Sequence, residues 1–105
     1  MAAIKRFEEI DAWKRARVLC RRIYSTSNSW NDYGLRDQIR SAAVSVMANM
    51  AEGFDCGSAR EFIRFLGYSL HSSSEIQSHL YVALDGRYIS PELFSSLYFT
   101  MNSSQ

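Results

Sequence analysis

Helix-breaking residues constrain this chain more than any other feature of its sequence. It contains a single proline, Pro91, and four of its five glycines fall where a repeat of apolar residues breaks. Between the breaks, apolar residues recur every three or four positions, which is the spacing of one face of an α-helix. The sequence therefore predicts four helices, and no segment shows the alternation that is typical of a strand.

Local signals predict where each helix begins and ends. The predicted helices cover about 10–27, 33–52, 58–85 and 91–101. Gly53 is predicted to be the left-handed C-terminal cap of the second helix. Ser58 and Glu61 have the spacing of a capping box at the start of the third. Ser90 followed by Pro91 is typical of a helix N-terminus, so the fourth helix starts there.

Short loops connect only antiparallel neighbours, so the four helices predict an antiparallel up-down-up-down four-helix bundle. The 105 residues fit one domain, 1–105. Some apolar residues widen the face that the third helix is expected to bury; these are Ile63, Leu70, Tyr81 and Leu84. The fourth helix, whose apolar face ends at Met101, is too short to cover the whole third helix, so some apolar surface should remain.

Four residues are predicted to meet other copies of the chain in a homo-oligomer. Phe65 and Tyr68 lie about 100° from the main apolar stripe of the third helix, and Phe54 follows Gly53. Asn49 lies on an otherwise apolar face, where an amide can set the register of a helical assembly. Two alternatives stay open: the aromatic residues complete the core of one subunit, or Asn49 serves only as a hydrogen-bonding group near a helix end.

Basic residues recur at helical spacing on the first three helices, although the net charge is only +1. The candidate nucleic-acid-binding residues are Lys14, Arg17, Arg21, Arg36, Arg40, Arg60 and Arg64. If they form one groove with four or five arginines on phosphates of single-stranded RNA, the slope of log affinity against log salt should be about −3. The alternative is a solvated face on which Asp11, Asp37 and Glu61 neutralise the arginines.

An enzyme is the rival class of function. Glu52, Asp55 and Cys56 cluster near a helix end and suit acid–base or nucleophilic chemistry. However, His71 and His79 lie far away on the third helix, and no glycine-rich phosphate loop is present. The prediction is a protein that is not an enzyme and that uses no metal or cofactor.

Cysteine content and hydropathy predict a cytoplasmic protein. The two cysteines, Cys20 and Cys56, are too few for the disulfide framework of a small secreted domain. No apolar run approaches the roughly 20 residues that cross a bilayer. The N-terminus lacks the charged-then-apolar order of a secretory signal.

Six short motifs of this chain carry a family resemblance: FEEIDAWKRA at 7–16, YGL at 33–35, QIR at 38–40, AAVSV at 42–46, NMAEG at 49–53 and EFIRFL at 61–66. Together they resemble the bacterial four-helix-bundle proteins that are encoded by intervening sequences of 23S ribosomal RNA genes. The resemblance covers about residues 7–98. It extends to the accessory proteins of reverse transcriptases in diversity-generating retroelements.

The resemblance implies a cytoplasmic helical bundle that assembles into a ring, commonly a homopentamer, without known catalytic activity. For the retroelement relatives it also implies a basic surface that contacts nucleic acid and the polymerase. This chain has Met47 where the family usually has a proline, so a kink expected there is absent or softened. The family's fourth helix also usually continues further.

Together these observations predict a non-catalytic oligomeric subunit that binds RNA or a ribonucleoprotein. The alternative is a protein-interaction scaffold, or an accessory subunit of a reverse transcriptase, that makes no direct contact with nucleic acid.

Overall fold

Helices account for most of the chain. The computed structural model describes residues 3–100. The α-helices are α1 (Asp11–Thr26), α2 (Tyr33–Asp55), α3 (Ala59–Asp85) and α4 (Pro91–Thr100). Single 3-10 turns lie at Phe7–Glu9 and Ser27–Ser29. Four helices were predicted and are confirmed, and residues 3–100 contain no strand; Met101, expected on the face of α4, lies outside the described residues.

Contacts between α2 and α3 show that these helices run antiparallel. The Ser72 hydroxyl donates to the Ser45 hydroxyl at 2.9 Å, and the Ser69 hydroxyl donates to the Val46 carbonyl at 2.8 Å. Further along α2, Gly53 lies against α3 near its start. Partner numbers in α3 therefore fall as those in α2 rise.

One core connects the four helices. Its buried apolar side chains are Ala16, Leu19, Ile23, Trp30, Leu35, Ile39, Ala42, Ala43, Val46, Met50, Ile76, Leu80, Ala83, Ile89 and Leu97. Burying each of the larger ones contributes about 1.5–3 kcal/mol of hydrophobic free energy. Helix α2 runs unbroken through Met47 and supplies more of these residues than any other helix.

The prediction that Gly53 caps α2 is wrong. The helix continues to Asp55, and the left-handed residue is Gly57, with φ of +80°. Gly53 instead lies inside the helix, where a Cβ atom would be only 2.6 Å from the Cβ atom of Phe65. The absence of a side chain at Gly53 therefore allows α2 and α3 to approach closely.

Serine N-caps occur where the sequence predicts them. The Ser58 hydroxyl accepts a hydrogen bond from the Glu61 amide at 3.2 Å, and the Ser90 hydroxyl accepts one from the Leu93 amide at 3.1 Å. The second half of the predicted capping box does not form, because the Glu61 carboxylate pairs with Arg64 at 2.6 Å.

Part of the face predicted to be buried on α3 is exposed instead. Ile63 is 68% exposed, Leu70 is 70% exposed and Tyr81 is also exposed. Thr100, the last described residue of α4, lines the same cavity as Leu70. Within residues 3–100, the other helices leave Ile63 and Leu70 largely exposed on this side of α3.

Candidate nucleic-acid interface

Basic residues on α1 form an exposed ridge. Lys14, Arg17 and Arg21 all lie on the solvent side of the helix. Lys14 is 4.0 Å from the Asp11 carboxylate, which is a weak, exposed ion pair. No side chain in the described part of the chain forms an ion pair or hydrogen bond with Arg17 or Arg21. Their guanidinium groups are free to bind an anion.

Arg40 joins α2 to the end of α1. Its Nε donates to the Ser27 hydroxyl at 2.8 Å, and its Nη2 donates to the Tyr24 carbonyl at 3.0 Å. Its guanidinium carbon lies 4.6 Å from the centre of the Tyr24 ring. Ser27 is fully buried, so this arginine satisfies polar groups at the end of α1.

Arg36 lies one turn before Arg40 and stacks in the same manner on a neighbouring tyrosine. Its guanidinium carbon is 4.7 Å from the centre of the Tyr33 ring. Its Nε donates to the Asp37 carboxylate at 3.2 Å, so its charge is partly compensated. Planar guanidinium groups stack on aromatic rings in this way without losing their outward donors.

These residues form one continuous surface on the side where α1 and α2 meet. Arg17, Arg21 and Tyr24 are spaced by four and three residues, so they share one side of α1. Arg40 connects that side to α2. We call this surface the arginine–tyrosine seam; it consists of Arg17, Arg21, Tyr24, Tyr33, Arg36 and Arg40.

Arg60 and Arg64 do not belong to the seam. Arg64 forms hydrogen bonds to the Glu61 carboxylate at 2.6 and 2.9 Å, and this pairing raises the pKa of Arg64. It also lies over the Phe65 and Tyr68 rings. Phe65 packs on Gly53, thirteen residues or about 20 Å along α2 from Arg40. The seven basic residues therefore do not converge on one groove, because Arg40 and Arg64 lie far apart.

The predicted oligomer-contact residues differ in how far their own subunit covers them. Asn49 donates to the Ser45 carbonyl and hydroxyl on its own helix, at 2.9 and 3.0 Å. Phe54 and Phe65 are half-buried, and Phe54 contacts the Phe62 ring edge-on. Tyr68 is exposed. Asn49 therefore has hydrogen-bond acceptors within its own helix, while contacts between copies stay a prediction for all four residues.

The residues weighed for catalysis lie on the surface. Glu52, Asp55 and Cys56 are exposed, and no side-chain hydrogen bond joins them. Cys20 is half-buried on α1, and burial raises the pKa of its thiol.

Among residues 3–100, no three side chains of the His, Cys, Asp or Glu type are grouped so that they could hold a metal ion. None of the helices in this range is long and apolar enough to cross a membrane.

Sequence reasoning missed the two tyrosines of the seam. The spacing of Tyr33 and Arg36 by three residues was a usable signal, because such pairs are neighbours on a helix. No sequence signal links Tyr24 to Arg40, since they lie on different helices and meet only in the folded chain.

The two stacked arginines should differ in their effect on stability. Arg40→Gln is expected to lower the free energy of unfolding by about 1–2 kcal/mol, because it removes charged donors from the Ser27 hydroxyl and the Tyr24 carbonyl. Arg36→Gln is expected to lower it by only about 0.5 kcal/mol, because Arg36 contacts an exposed carboxylate and an exposed ring of its own helix. Urea unfolding of both variants measures this difference; equal losses would contradict the assignment.

Comparisons with known proteins agree with this fold. Residues 8–105 match the family model of the 23S rRNA-intervening sequence protein. A crystal structure of a protein with unknown function from the S23 ribosomal protein family of Bacteroides thetaiotaomicron VPI-5482 is similar, with a TM-score of 0.80 and 22% identity. The similarity covers 88% of this chain and 89% of that chain. No curated protein matches. Because the family model matches nearly the whole chain, the protein belongs to the 23S rRNA-intervening sequence protein family.

Proposed function

We propose that this protein is a non-catalytic, homo-oligomeric RNA-binding subunit and that its RNA-binding surface is the arginine–tyrosine seam. The observation that carries the proposal is the position of Arg17 and Arg21, which have no partner in the described part of the chain. They lie on the same side of α1 as Tyr24, and the Tyr24 ring lies under the guanidinium of Arg40. Arginine binds phosphate through paired donors, and exposed aromatic rings stack on bases. The seam presents both kinds of group to one ligand.

Assembly into a homo-oligomer, with a pentamer as the expected size, forms the second part of the proposal. Ile63 and Leu70 support it, because they lie seven residues apart on one side of α3 and are more than two-thirds exposed. Large apolar side chains that line up on a surface are typical of a contact with another chain. A ring of subunits would also repeat the seam and increase its avidity for a long RNA.

RNA binding through the seam predicts a specific response to salt. With four arginines on phosphates of a single strand, the slope of log affinity against log salt is expected to be about −3. Arg17→Gln/Arg21→Gln should reduce it to about −1.4 and weaken binding at low salt by tenfold or more, because two phosphate contacts are lost. Filter binding of 23S ribosomal RNA fragments over a range of salt concentrations measures both quantities.

Arg60→Gln/Arg64→Gln is the control, because it removes the same charge outside the seam. It should leave the slope close to that of the parent protein. If both double variants lower the slope equally, RNA binding stands but the seam is not its surface. If no RNA is retained even at low salt, RNA binding itself is wrong.

A protein-interaction scaffold, or an accessory subunit of a reverse transcriptase, is the competing proposal. The same free guanidinium groups of Arg17 and Arg21 support it, since they pair with carboxylates as readily as with phosphates. Under this proposal, the protein retains no RNA at any salt concentration. An acidic protein partner binds the parent protein but does not bind Arg17→Gln/Arg21→Gln.

A further inference from the structure

The seam contains two exposed tyrosine rings, each with an arginine over it. Tyr33 is 61% exposed and Tyr24 is 43% exposed, even though guanidinium groups lie 4.7 and 4.6 Å from their centres. Arg36 and Arg40, which lie over these rings, are one helical turn apart on α2. The two rings are therefore parts of one surface with stacking area still open to a ligand.

The arginines of the seam fall into two kinds. Arg40 donates hydrogen bonds to the Ser27 hydroxyl and the Tyr24 carbonyl, and Nε of Arg36 donates one to the Asp37 carboxylate. Arg17 and Arg21 donate no such hydrogen bonds to other described residues. Arg17 and Arg21 thus have all their donors open to phosphates, whereas Arg36 and Arg40 lie against the tyrosine rings and offer phosphates only their remaining donors.

We infer that the seam binds unpaired RNA in preference to duplex RNA, with Tyr24 and Tyr33 stacking on bases while Arg17 and Arg21 hold phosphates further along the same strand. This inference rests on the proposed function and adds the class of RNA. An A-form duplex keeps its bases stacked inside the helix, so it offers exposed tyrosine rings no base faces. A loop, bulge or single strand offers both phosphates and splayed bases, which match the two kinds of group in the seam.

A purely structural role for the tyrosines makes a different prediction. The ring of Tyr24 does pack under Arg40, which also bonds to the Tyr24 carbonyl, so this residue helps to join α1 and α2. Tyr33 is at the first position of α2, is the more exposed of the two, and its ring contact with Arg36 lies within its own helix. Substitutions at Tyr33 therefore test base stacking without disturbing the junction between helices.

The test measures fluorescence anisotropy of the full-length protein with two labelled probes: an unstructured 20-nucleotide RNA and a fully paired 20-base-pair RNA duplex. The parent protein should bind the single strand more tightly. Tyr33→Ala should weaken single-strand binding about tenfold, as expected for the loss of one base stack, and leave duplex binding unchanged. Tyr33→Phe keeps the ring and should bind the single strand like the parent protein.

The outcomes separate this inference from the proposed function. If both probes bind equally and Tyr33→Ala changes neither, while Arg17→Gln/Arg21→Gln weakens both, the seam binds RNA but does not select unpaired bases. If Tyr33→Ala weakens both probes by the same factor, the tyrosine acts on the fold and the inference is also wrong. If neither probe binds the parent protein, the proposed function itself fails.

Discussion

Replacing Gly53 with valine is expected to lower the free energy of unfolding by about 2–3 kcal/mol and the midpoint of thermal unfolding by about 10–20 °C. A Cβ atom at this position would lie 2.6 Å from the Phe65 Cβ atom and 3.4 Å from the Phe62 Cα atom. Neither neighbour is the free end of a flexible side chain, so α2 and α3 must move apart. Their separation loosens the main helix pair of the bundle.

Gly67→Ala is the control for adding a side chain at a helical glycine where there is open space. Gly67 is also within a helix, but nothing lies within 4 Å of where its Cβ atom would be. Alanine there should raise the free energy of unfolding by about 0.5–1 kcal/mol, because it lowers the conformational entropy of the unfolded chain. Thermal unfolding at one fixed protein concentration compares the two variants, since assembly makes the midpoint depend on concentration. A Gly53→Val variant as stable as the parent would contradict the close approach of α2 and α3.

Introducing negative charge on the exposed apolar side of α3 should dissociate the proposed oligomer. Ile63→Asp/Leu70→Asp is expected to convert it into a monomer of 12.0 kDa, because a carboxylate buried in an apolar contact without a partner costs several kcal/mol. Because both side chains are more than two-thirds exposed within one subunit, the fold should be unaffected. Multi-angle light scattering on the eluting protein measures the mass, and circular dichroism checks that helix content is unchanged.

Val44→Asp/Val82→Asp provides a control with the same charge change at other exposed apolar positions of α2 and α3. It should remain oligomeric. An Ile63→Asp/Leu70→Asp variant that keeps the parent's mass would place the contact elsewhere, with Phe54 and Tyr68 as the next residues to test. A parent protein that elutes as a monomer at micromolar concentration would refute the oligomer.

Local signals made much of the fold predictable from the sequence. The starts of α3 and α4 agree with the prediction because the caps Ser58 and Ser90 depend on residues three positions away. Gly53 was misassigned because a glycine near a helix end is typical of a cap, whereas its role here depends on Phe65, which comes from another helix.

The exposed side of α3 and the division of the basic residues depend on the fold as a whole. Periodicity shows that Ile63 and Leu70 share one side of a helix, but their burial depends on whether another helix reaches that side. Spacing also makes Arg40 and Arg64 look alike. In the folded chain Arg40 binds the end of α1 and Arg64 binds Glu61, and only tertiary contacts separate those roles.

Photo-crosslinking of the parent protein to 23S ribosomal RNA fragments, followed by mass spectrometry of the crosslinked peptides, tests most directly whether RNA lies on the seam. Our account predicts crosslinks at Tyr24 and Tyr33, whose exposed rings flank the arginines. Crosslinks confined to Phe65 and Tyr68, beside Arg64 and outside the seam, would contradict it.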